Sequence, residues 1–76
     1  MKKDAEIDEA IFASILPRWQ KVAMIIAKAS QILGVDGEEN YKLIARRIEL
    51  LVRKGKLDSQ GDVKNWRFSE IRLPKT

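Results

Sequence analysis

The side chains best supplied for chemistry in this chain are cationic. Lys42, Arg46, Arg47, Arg53 and Lys54 crowd one segment, and Lys56, Lys64 and Arg67 follow it. On a helix, Lys42, Arg46 and Arg53 share a side, because residues three and four apart are surface neighbours. Arginine presents a planar donor fork that grips a phosphate or a guanine edge bidentately, and lysine adds a mobile point charge. Polyanion binding is the chemistry such a set offers. Nucleophilic and metal chemistry are poorly supplied by comparison. With no cysteine and no histidine, the thiolate nucleophile, the commonest general base and the usual zinc ligands are all missing. Ser14, Ser30 and Ser69 have no imidazole to activate them. Asp36, Glu38 and Glu39 cluster where a helix is expected to begin, and capping explains them better than a metal does. Four glycines form no phosphate-cradling loop. An enzyme, a cofactor and a bound metal are therefore not expected.

The elements that must position these cations follow from size and periodicity. Seventy-six residues support one small core and no second lobe, so the chain reads as a single domain over 1–76. An apolar share of 45% with 34% charged is that of a globular protein. No apolar run reaches the length of a membrane span. The start, Met1 to Asp4, turns acidic without an apolar region, which reads as cytoplasmic. Charge divides along the chain. Residues 1–41 carry five basic side chains against seven acids, and residues 42–76 carry ten against four, net charges of −2 and +6. A basic half of this kind marks a surface for polyanions, or equally the solvated outside of a helix and hairpin.

The spacing predicts a mainly α fold with a small β-hairpin: helices over about 5–16, 18–33 and 38–54 and a hairpin over about 56–73. Ile7, Ala10, Ile11, Ser14 and Ile15 set the first helix, with Asp4 as its expected N-cap and Pro17 forcing its end. Pro17 then suits the first position of the second helix. Its apolar stripe runs through Trp19, Val22, Ala23, Ile26, Ala29, Ile32 and Leu33, Met24 and Ile25 widen it, and Gly34 is the stop. Asp36 and Glu39 have the spacing of a capping box for the third helix. There Tyr41, Ile44, Ile48, Leu51 and Val52 face inward, and Arg53, Lys54 and Gly55 signal the end. Beyond it, Gly61-Asp62 reads as a hairpin turn, with Asn65 to Phe68 as the returning strand. Trp66 and Phe68 are expected to pack with Leu57 on the helices, and a bend or short third strand is expected after Ser69. Glu70 and Arg72, two apart on extended backbone, are expected to pair with each other.

The run Ala45-Arg46-Arg47-Ile48-Glu49-Leu50-Leu51-Val52-Arg53-Lys54-Gly55-Lys56-Leu57 resembles the stretch of winged helix-turn-helix proteins in which the recognition helix ends in Leu-x-x-x-Gly and leads into the wing. Three helices followed by a hairpin is the order that resemblance implies. A second resemblance covers most of the chain. Pro17-Arg18-Trp19-x-Lys21-Val22-Ala23, Arg46-Arg47-Ile48-x-x-Leu51-Val52-x-x-Gly55, and Gly61-Asp62 leading to Arg67-x-Ser69-Glu70-Ile71-Arg72-Leu73-Pro74 are together similar to a small bacterial domain of unknown function, family 3658. It implies a compact bacterial domain and carries over no functional residue.

Two functional classes follow. In the first, the winged-helix-like domain binds double-stranded DNA, weakly and largely without sequence preference. Lys42, Arg46 and Arg53 would then face the duplex, Arg47 and Lys54 lie at its edge, and Lys56, Lys64 and Arg67 on the wing reach flanking phosphates. In the second, the same frame is a protein-interaction or adaptor domain, homodimeric in one form, using an apolar surface that includes Phe12, Leu16 and Met24.

Overall fold

The computed structural model describes residues 3–74. Met1 and Lys2, part of the chain start read above, and Lys75 and Thr76 lie outside the described residues. The described chain is mainly α with a small antiparallel sheet: α1 (Asp4–Ser14), β1 (Gln20–Lys21), α2 (Val22–Leu33), α3 (Glu38–Arg53), β2 (Asp58–Gln60) and β3 (Glu70–Arg72). Ile7, Ala10 and Ile11 of α1, Val22, Ile25, Ile26 and Ala29 of α2, and Ile44, Ala45, Ile48 and Leu51 of α3 meet in one core, closed by Leu57, just before β2, and Ile71 of β3. These positions recur every three to four residues, so each helix buries one face. No described helix is long and apolar enough to cross a membrane.

Helix ends follow local chemistry at the carboxyl side and depart from it at the amino side. Gly34 and Gly55 end α2 and α3 as expected. The N–H of Gly34 bonds Gln31 O and that of Val35 bonds Ser30 O, and Gly55 and Lys56 do the same with Val52 and Leu51, the paired bonds of a Schellman stop. Asp4 is not the N-cap of α1. It is the first helical residue, Lys3 precedes it, and the N–H of Lys3 donates to Glu6 Oε1 at 3.4 Å. The Asp36–Glu39 capping box is absent as well: Gly37 is the N-cap of α3 without a side-chain bond, and the Asp36 carbonyl accepts instead from Asn40 Nδ2 at 2.8 Å.

Pro17 does not open α2. The chain bends at 17–18 and enters β1, and α2 begins at Val22. Gln20 is buried and secures the corner, its Oε1 accepting from Leu16 N–H at 2.9 Å while its Nε2 donates to Leu16 O at 3.2 Å. Residues 20 and 21 gain a partner strand in place of a helical turn, pairing Gln20 with Ile71 and Lys21 with Glu70. The apolar stripe of α2 is shifted from expectation: Ile25, expected only to widen it, lies at its centre, and Met24 and Ile32 lie largely outside it.

The hairpin is wider than the alternation suggested. β2 pairs with 70–72, not with 65–68, in the register Asp58 to Arg72, Ser59 to Ile71 and Gln60 to Glu70, and the sheet order is β1-β3-β2. Residues 61–69 are a loop of successive turns. Asn65 N–H donates to Asp62 O, Phe68 N–H to Asn65 O, and Lys64 N–H to Asp62 Oδ1, an aspartate-centred turn that competes with strand pairing. The loop also completes α2. Val22 N–H donates to Ser69 O and Ala23 N–H to Trp66 O, each at 3.1 Å, which satisfies two N–H groups that the start of a helix leaves without partners. An extended 65–68 would forfeit those bonds. Trp66 is half-buried against the core as expected, whereas Phe68 is not a core residue and stands 75% exposed.

Candidate nucleic-acid interface

The outer side of α3 is set by its inner one. With Ile44, Ile48 and Leu51 buried, Lys42, Arg46 and Arg53 point away from the core and are exposed. The loop 61–69 runs beside this side. Lys42, Ala45, Arg46 and Glu49 of α3 line a shallow groove whose opposite wall is Lys64 and Trp66. The tertiary structure thus brings three of the cations, Lys42, Arg46 and Lys64, together over a half-buried indole. On its other flank Arg46 joins a second groove with Arg47, Arg53, Leu43, Leu50 and, from α1, Asp4 and Ile7. Glu49 belongs to both grooves and tempers the positive field.

The other basic positions are placed differently. Lys54 is the exposed C-cap of α3 and Lys56 is exposed in the turn before β2. Arg67 is exposed on the loop. None of these three lines the groove of Lys42, Arg46 and Lys64.

Arg47 lines that second groove too, but its guanidinium is tied into the helix packing. One position on from Arg46, it is turned by about 100° toward α1. Its Nε and Nη2 donate to the two carboxylate oxygens of Asp8, both at 2.8 Å, and its Nη1 reaches Asp4 Oδ2 at 3.4 Å. The side chains of Arg47 and Asp8 are 18% and 23% exposed. The hydrogen bond to Asp8, opposed in part by burial and aided by the charges of Asp8 and Asp4, raises the guanidinium pKa above its ordinary value. Sequence spacing missed this pair because its members stand 39 residues apart.

Glu70 and Arg72 do not pair with each other. Arg72 Nε donates to Asp58 Oδ2 at 3.2 Å across β2–β3, and its guanidinium lies over the Trp19 ring, 4.3 Å from the centroid, a cation–π contact. Glu70 accepts from Gln60 Nε2. Opposed strand positions meet across the ladder more directly than residues two apart on one strand. Trp66, expected to pack on the helices, also lines the groove. It serves both places, and no local signal separates a core indole from one that also lines a surface. Among the described residues no cluster of three or more acidic side chains is placed to hold a metal ion.

Comparison with protein-family models, with curated proteins and with solved structures found no match to this chain.

Proposed function

We propose that this is a winged-helix-like domain that binds double-stranded DNA, largely without sequence preference, through the outer side of α3 and the loop 61–69 acting as the wing. The observation that carries the reading is the groove in which Lys42 and Arg46 of α3 stand opposite Lys64 of the loop. A phosphate track there meets cations from two elements at once, and the exposed Arg53 extends the row along α3. The order of helices and strands and the loop projecting between β2 and β3 support the winged-helix comparison. Base readout is poorly provided for, since α3 holds no Asn, Gln, Ser or Thr after Asn40. Phosphate contacts position a protein without carrying sequence information.

Four cations, Lys42, Arg46, Arg53 and Lys64, predict a slope of about −3.6 in log affinity against log salt, at about −0.9 per phosphate neutralised. The test is a titration of labelled backbone amides with a random-sequence duplex at about 50 mM and about 200 mM salt, the range over which such binding weakens most. Salt-sensitive shifts confined to 42–53 and 61–69 are the expected result. Arg46→Glu with Arg53→Glu should abolish them while leaving the fold intact. No shifts at the lower salt would make the basic half a solvated surface and overturn the reading.

A further inference from the structure

We propose that the face formed by α1 and α2 binds a second copy of this chain around a two-fold axis centred on Ile32. Ile32 is 58% exposed and Leu16 42% exposed, two aliphatic side chains left facing water on one side of the domain. The charged side chains give this face two distinguishable ends. Glu6 and Glu9 line its shallow groove on one side of Ala13 and Ile32. Leu16 and Lys28 line it on the other, with Ala13 and Ile32 common to both halves. Among the described residues none of Glu6, Glu9 and Lys28 is held in an ion pair within the chain.

This arrangement is complementary to itself. A two-fold axis through the shared apolar centre stacks Ile32 on its own copy and lays the acidic end of each chain on the basic end of the other. Glu9 then meets the partner's Lys28 twice, once on each side of the axis. In a two-fold interface residue i contacts j and j contacts i, so one complementary pair is enough to supply both contacts. An unrelated protein would have to match the same alternation of acid, apolar centre and base, which a second copy matches by construction. The apolar centre is small, so the dimer is weak, with a Kd of about 10–500 µM. The face shares no residue with the groove between α3 and the loop, so self-association and DNA binding are separable.

Sedimentation equilibrium from about 20 µM to about 1 mM, a range spanning that affinity, tests the proposal. The full chain should rise from monomer toward twice the monomer mass. Ile32→Glu should remain monomeric with an unchanged far-ultraviolet spectrum. Lys28→Glu and Glu9→Lys should each weaken association at least about fivefold, since each variant alone sets like charges against each other at both contacts. Mixed in equal amounts, the two variants should associate more tightly than either does alone, because every contact in the mixed dimer again pairs an acid with a base. A wild-type chain still monomeric at the highest concentration would overturn the proposal, as would a mixture no tighter than its components. Either result leaves the DNA titration unaffected.

Discussion

Arg46 and Arg47 are adjacent in sequence, yet replacing each with methionine should produce opposite outcomes. Arg47 donates two 2.8 Å bonds to Asp8, and both side chains are about four-fifths covered. Exposed ion pairs contribute about 0–1 kcal/mol, and breaking a fully buried one costs about 3–5 kcal/mol. A bidentate pair covered to this degree falls between, so Arg47→Met should destabilise the fold by about 2 kcal/mol. In a domain of this length that lowers Tm by about 8–16 °C. Arg46 is exposed, and its loss should change stability by less than about 0.5 kcal/mol.

DNA affinity should divide the other way. One released counterion at about 0.1 M salt is worth about 1.2 kcal/mol, so Arg46→Met should weaken duplex binding about eightfold and make the salt slope shallower by about 0.9. Arg47→Met should leave both quantities within error at a temperature where it remains folded. The raised pKa of Arg47 also predicts the pH behaviour. A basic group whose folded pKa lies above its unfolded one stabilises fully below the unfolded value and loses its effect only as pH rises through the folded value. For arginine that window is far into alkali, so the Tm difference between wild type and Arg47→Met due to this shift should not vary between about pH 6 and 9. Thermal unfolding by circular dichroism and fluorescence anisotropy on a labelled random duplex at four salt concentrations measure all of this. Equal losses of affinity and slope in the two variants would refute the division of labour, and so would equal losses of stability.

Four other substitutions probe the frame. Gly61 has φ +78°, and a Cβ there would come within 2.9 Å of Phe68 O, so Gly61→Ala should cost about 1–3 kcal/mol; an unchanged urea midpoint would mean the loop can rearrange freely. Ile48 is fully buried and Phe68 largely exposed, so Ile48→Ala should cost about 2–5 kcal/mol and Phe68→Ser less than about 0.5 kcal/mol, compared by chemical denaturation. The reverse ranking would place Phe68 in the core after all. Arg72→Ala removes both the bond to Asp58 and the cover over Trp19. It should cost about 1 kcal/mol and alter tryptophan emission, and a spectrum and midpoint identical to wild type would count against that contact.

The legible parts of this protein are those decided within a few residues of chain. Three helices, their buried faces on Ile11, Ile26 and Ile48, and the stops at Gly34 and Gly55 could be read in advance, because helical period and a left-handed glycine are local properties. The outward placement of Lys42, Arg46 and Arg53 was legible for the same reason, since it follows from one helix's own inner stripe. The strand at Gln20–Lys21 was not, because two residues become a strand only when Glu70 and Ile71 arrive beside them. Trp66 and Phe68 alternate as a strand would, yet the start of α2 takes the carbonyls of Trp66 and Ser69 and turns that segment into the loop beside α3. Arg46 and Arg47 are the same residue type one position apart. The sequence by itself makes both cationic and puts them on different sides of a helix. Only the docking of α1 decides that Arg47 is held by Asp8 while Arg46 stays free to meet Lys64 across a groove, because charge is carried by the residue and the partner is supplied by packing.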